Sequence, residues 1–121
     1  MDYYSLRSNV ESPSVIIAEA GINHDGDFEK AKKMIDVAAN AGANYVKFQS
    51  FKHDKLVTPT AVTSSYIKAG SYAGESFADL LRRLELSMED HRALRAYCDI
   101  KGIKFLSTAF DSQSFDLLLD L

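Results

Sequence analysis

Two short strand-like runs, the first β-branched, with one amphipathic helix between them constrain this chain more than any other feature. Val15-Ile16-Ile17-Ala18 is continuous rather than alternating, the pattern of a strand covered on both faces, as in a parallel sheet. Gly21 and Gly26 bracket a polar turn, Ile22-Asn23-His24-Asp25, and Asp27 is placed to cap a helix. Ala31, Met34, Ile35, Ala38 and Gly42 then recur at helical spacing, with Lys30, Lys32, Lys33, Asp36 and Asn40 opposite. Gly42 stops that helix and Tyr45-Val46-Lys47-Phe48 begins a second strand. A strand–helix–strand unit of this kind requires a parallel pair and a right-handed crossover.

The pattern then changes. Ser50 to Glu75 is rich in Ser, Thr, Gly and Tyr, contains Pro59 and has no sustained period. It reads as a long loop, functional or else disordered; Tyr66 and Tyr72 could belong to a lid, with a merely exposed loop as the default. A short helix is predicted over Phe77 to Leu84, and Ser87-Met88-Glu89-Asp90 opens a longer one with a capping box. Leu94, Tyr97 and Cys98 share the inner face of that helix and Gly102 ends it. A third strand is expected from Ile103 to Ser107, and a last helix from Asp111 or Ser112 that buries Phe115, Leu118 and Leu119. The fold class is α/β: three βα units, in an order suiting a doubly wound sheet or a (β/α)8 barrel. A barrel takes about 250 residues, so one incomplete domain is expected from 121 residues.

Composition limits the setting more than the chemistry. With 46% hydrophobic and 26% charged residues and a net charge of -3, the chain is of ordinary globular type. No apolar stretch approaches the roughly 20 residues of a membrane span, and the start, Met1-Asp2-Tyr3-Tyr4, carries no signal-like apolar region. Lone Cys98 fits a reducing cytoplasm and reads as core packing. Scattered Lys and Arg argue against a nucleic-acid partner, and nothing suggests a membrane one.

Ligands of parallel α/β folds bind at the carboxyl ends of the strands. Those ends would offer Glu19 from strand one, Lys47 and Gln49 from strand two, and Ser107 and Thr108 from strand three. A carboxylate, an ammonium, an amide and two hydroxyls at one mouth suit an anionic, polyhydroxylated ligand. The alternatives are a solvated charge at Glu19, a snorkelling stem at Lys47, and turn or capping bonds at the other three. His24 reads as a turn or mouth residue and His91 as a surface residue. His53 and His91 lie at no ligand spacing from His24, so no metal site is assigned within the chain. The glycines form neither G-x-G-x-x-G nor a Walker loop.

Several segments, in order, resemble the sialic acid synthase family. They are Ile17-Ala18-Glu19-Ala20-Gly21-Ile22-Asn23-His24-Asp25-Gly26, Ala41-Gly42-Ala43-Asn44-Tyr45-Val46-Lys47-Phe48-Gln49, Leu84-Glu85-Leu86-Ser87, and Gly102-Ile103-Lys104-Phe105-Leu106-Ser107-Thr108-Ala109-Phe110-Asp111. Ala109 stands where the family often has proline. The resemblance implies the first three βα units of a TIM barrel. Residues 1–121 would then be the N-terminal part of one synthase domain, with the remaining barrel and an antifreeze-like domain beyond Leu121. It implies a transferase that condenses phosphoenolpyruvate with N-acetylmannosamine or a related amino sugar and releases phosphate. A divalent metal, Mn2+ or Mg2+, would take its ligands from beyond Leu121, and the full-length protein would be a homo-oligomer. By the same resemblance Glu19 is catalytic, while Lys47, Gln49 and Thr108 bind substrate. A 3-deoxy-octulosonate phosphate synthase type of condensation and a non-catalytic truncated barrel are the alternatives.

Overall fold

A computed structural model describes residues 14–58 and 75–121. The first strand is β1 (Ile17–Gly21), followed by α1 (Phe28–Asn40), β2 (Tyr45–Ser50) and the one-turn helix α2 (His53–Leu56). After the undescribed residues come α3 (Phe77–Leu84), α4 (Met88–Lys101), β3 (Lys104–Ala109) and α5 (Ser112–Leu119). The strands form one parallel sheet in the order β1-β2-β3. Among the described residues no helix is long and apolar enough to cross a membrane.

Local signals start and stop the helices where the sequence places them. The Asp27 carboxylate accepts from Lys30 N–H at 3.1 Å and opens α1, and Ser76 caps α3. At α4 the capping box is complete: Ser87 Oγ accepts from Asp90 N–H while the Asp90 carboxylate accepts from Ser87 N–H, both at 3.0 Å. Gly102, at φ +71°, ends α4 in the left-handed region that favours glycine. Asp111 caps α5 by accepting from Ser114 N–H at 2.8 Å.

Strand periodicity sorts β2 into two faces. Val46, Phe48 and Ser50 are buried, while Tyr45, Lys47 and Gln49 are partly exposed. On the buried face Val46 and Phe48 join Ile35 and Ala38 of α1 and Leu94 and Cys98 of α4 in the main core. A second, smaller core joins Phe51 to Leu80, Leu81 and Leu84 of α3. All the described helical packing against β2 therefore lies on one side of the sheet, leaving Lys47 and Gln49 on the other.

Four expectations need correction. β1 runs from Ile17 to Gly21 and β3 from Lys104 to Ala109, so each starts one or two residues late and continues to the glycine or bend that breaks it. Glu19 is thus the middle residue of β1 rather than its end, and Ile17 and Glu19 are exposed rather than covered on both sides. The stretch after Ser50 opens with α2, and the remainder of the expected loop, with Tyr66 and Tyr72, lies outside the described residues. In α5 the buried residues are Ser114 and Leu117, while Phe115 and Leu119 are exposed. Asp111 accepts from Ser114 Oγ as well as from Ser114 N–H, and Ser114 is buried.

Candidate functional site

Register brings the sequence-marked residues together. Glu19 pairs with Lys47 across β1 and β2, and Gln49 pairs with Thr108 across β2 and β3. Residues paired in this way stand side by side on one face, and residues two apart on a strand share it. Glu19, Lys47, Gln49 and Thr108 therefore share the face that the described helices leave open. Lys47 Nζ lies 2.8 Å from Glu19 Oε2, with about half of the Glu19 side chain in solvent.

Gly21 marks where this cluster closes. Its φ of +55° favours glycine, and a Cβ there would stand 3.4 Å from Glu19 Oε1, 3.7 Å from Gln49 Nε2 and 3.8 Å from Asn23 Nδ2. A carboxylate, a carboxamide and a second amide thus converge on one bare patch of backbone. Asn23 is the residue that strand-end reasoning did not select. It sits in the turn after β1, and its Nδ2 donates to Ala20 O at 3.1 Å; its place one residue before His24 in the opening motif was the available signal.

Three other expectations resolve differently. Ser107 does not share a face with Thr108: its Oγ lies 2.6 Å from Ser50 Oγ on the helix side. His91 is buried rather than on the surface, because both ring nitrogens find partners, Ser87 O at 2.8 Å and Ser50 Oγ at 2.6 Å. Burial holds its pKa below the usual value, so the ring is neutral near pH 7. His24 bonds its own turn, as expected, but is fully buried beside Phe48 rather than lining the open face. Gly26 N–H donates to its Nδ1 at 3.0 Å, which leaves the proton on Nε2, and Nε2 has no partner among the described residues. Burial and the nearby His91 push its pKa down to about 4.

A rim of ion pairs surrounds the carboxyl ends of the strands. Glu85 receives Lys52 Nζ at 2.7 Å, His53 N–H at 3.0 Å and His53 Nδ1 at 2.6 Å. Burial alone would raise the Glu85 pKa, but the His53 N–H and Lys52 outweigh it and the carboxyl sits below its usual range. Lys52 N–H donates to Asp111 at 2.7 Å, so the cap of α5 also ties down the chain leaving β2. Arg83 of α3 bridges Asp25 and Glu75 at 3.1 Å and 3.0 Å, fastening the β1–α1 turn to α3. Among the described residues no three His, Cys, Asp or Glu side chains gather in a way that could hold a metal ion.

The described residues form a parallel α/β sheet whose open face carries an ion pair, two amides and a hydroxyl. The chain belongs to the NeuB family, which it matches over residues 34–121. It is 45% identical over 106 residues to an N,N'-diacetyllegionaminic acid synthase of Legionella pneumophila, covering 88% of this chain and 30% of that protein. It is 33% identical over 111 residues to the N-acetylneuraminate-9-phosphate synthase of Homo sapiens, covering 92% and 31%. The crystal structure of an N-acetylneuraminic acid synthetase from Leptospira borgpetersenii superposes with a TM-score of 0.73 at 31% identity, covering 90% of this chain and 33% of that one. The resemblance to sialic acid synthases read from the sequence is borne out. The chain spans about a third of the length of these relatives.

Proposed function

We propose that the protein condenses phosphoenolpyruvate with N-acetylmannosamine or a related N-acetylated amino sugar, giving a nonulosonic acid and phosphate. The observation that carries this reading is the Lys47–Glu19 pair at 2.8 Å, beside Gln49 and Thr108 on the same open face. One cation, one carboxylate and neutral donors are the groups needed to seat an anionic enol ester beside a polyhydroxylated acceptor.

In this reading C3 of phosphoenolpyruvate attacks the aldehyde carbon of the open-chain sugar. The new C–C bond leaves a cationic carbon at C2, water adds there, and phosphate departs with its bridging oxygen as the C–O bond breaks. Lys47 neutralises the carboxylate or phosphate of phosphoenolpyruvate, and the Thr108 hydroxyl donates to an anionic oxygen. Glu19 stabilises the cationic carbon and Gln49 bonds the sugar hydroxyls. The same proposal includes a (β/α)8 barrel opening with these three βα units, a full-length homo-oligomer in the cytoplasm, and a divalent metal held by residues beyond Leu121.

The test is phosphate release by the full-length protein from phosphoenolpyruvate across a panel of free and phosphorylated N-acetylated hexosamines. Release that depends on one of these sugars supports the reading. Release with none of them, or independent of sugar, overturns it.

A further inference from the structure

On the helix side of the sheet, directly behind Gln49 and Thr108, a buried chain of hydrogen bonds joins three elements. His91 Nδ1 lies 2.8 Å from Ser87 O, and a carbonyl only accepts, so Nδ1 carries the ring proton. Nε2 of the neutral ring is then bare and accepts from Ser50 Oγ at 2.6 Å. Ser50 Oγ in turn accepts from Ser107 Oγ at 2.6 Å. Every donor in the chain points the same way, from β3 through β2 to α4. Ser50 and His91 are 1% and 2% exposed.

Such a chain is a costly way to fill a core, since apolar residues of similar volume pack there with nothing to satisfy. What it adds is register. Phe48 pairs with Ser107 and Ser50 with Ala109, which sets the two hydroxyls as diagonal neighbours. A one-residue slip of β3 would turn its side chains to the wrong face, and apolar burial already resists that. A two-residue slip keeps the faces, so burial resists it far less, yet it would carry Thr108 about 6.6 Å along the strand from Gln49. A one-residue slip breaks the Ser107–Ser50–His91 chain, and so does a two-residue slip that carries Ser107 away from Ser50.

We propose that His91, acting through Ser50 and Ser107, is a positioning residue that fixes β2 against β3 at their carboxyl ends and so holds Gln49 and Thr108 side by side for substrate. The substrate half rests on the function proposed above; the register half does not. Ser50 O also accepts Phe110 N–H at 3.0 Å, so the same residue anchors the chain as it leaves β3.

The experiment uses the full-length protein with His91→Phe, which keeps a ring but removes the acceptor, and His91→Gln, which returns a polar group near the Nε2 position. Backbone amide exchange is followed in peptides covering 45–50 and 104–110, with α1 as the internal reference, alongside initial rates for both substrates. In His91→Phe, exchange in the two strand peptides rises about tenfold with α1 unchanged. KM for phosphoenolpyruvate and for the amino sugar rises about tenfold while kcat changes less than about threefold. His91→Gln recovers most of both effects. Ser107→Ala, which removes only the last link, moves both readouts the same way to a smaller extent and serves if His91→Phe does not fold.

Unchanged exchange at the strand ends, or an equal rise in α1, overturns the register half. Local loosening with unchanged KM overturns the substrate half. A wild-type protein with no sugar-dependent phosphate release overturns the proposed function instead, and the exchange data still decide the register half.

Discussion

Acidification should weaken this fold through His24, and the size of the effect follows from its surroundings. The ring is fully buried, and burial first, then the neighbouring His91, hold its pKa at about 4 against an ordinary 6.5; Asp25 and Asp27 pull weakly the other way. Above pH 6.5 the ring is neutral folded or unfolded and pH has no leverage. Below 6.5 the unfolded chain takes up a proton that the folded chain refuses until about pH 4, so stability falls across that window and levels off beneath it. At about 1.4 kcal/mol per pH unit, the loss between 6.5 and 4 is about 3 kcal/mol. Other groups titrate there too, so the assay compares wild type with His24→Gln by urea unfolding, followed by circular dichroism, at several pH values from 7.5 to 4. The variant is less stable at pH 7.5, having lost the ring that packs on Phe48 and the acceptor of Gly26 N–H. That deficit shrinks by about 3 kcal/mol on going to pH 4, because only the wild type carries the histidine penalty. A deficit that stays constant with pH would refute the argument.

Gly26→Ala places a Cβ 1.9 Å from Arg83 O at a φ of +76°, so it must prise α3 from the β1–α1 turn. Thermal unfolding should register a loss of about 3 kcal/mol, near the top of the range for overpacking and backbone strain. Ser87→Ala breaks the capping box of α4 and should cost about 1 kcal/mol by the same measurement, with the site chemistry intact. Glu19→Gln frees Lys47 from its competing carboxylate. Calorimetry should therefore show phosphoenolpyruvate binding up to about fivefold tighter to the full-length variant, matching the roughly 1 kcal/mol ceiling of an exposed ion pair, while turnover falls.

What the sequence discloses here is what depends on neighbours within a turn or two. The Asp27 cap, the Ser87–Asp90 box, the Phe77–Leu84 helix and the Gly102 stop are all set by residues three or four apart, and each lies where it was read. Lys47, Gln49 and Thr108 fall on one face because strand alternation is local as well. The errors arise where distant partners decide. His91 looks like a surface residue among charges until Ser50, 41 residues away in sequence, supplies its buried partner. Ser107 and Thr108 are both hydroxyls near a strand end, but adjacent strand residues face opposite ways and Ser50 claims Ser107. Glu85, 33 residues from Lys52, carries no mark in the sequence of the three donors it collects.

In the proposed function, Lys47 neutralises phosphoenolpyruvate on the open face of the sheet. Initial-rate kinetics of the full-length protein and its Lys47→Ala variant, reading phosphate release at varied phosphoenolpyruvate and saturating amino sugar, test it most directly. The expected result is a fall in kcat/KM for phosphoenolpyruvate of at least about tenfold, the worth of a hydrogen bond to a charged group. A variant that releases phosphate with wild-type kcat/KM would contradict it.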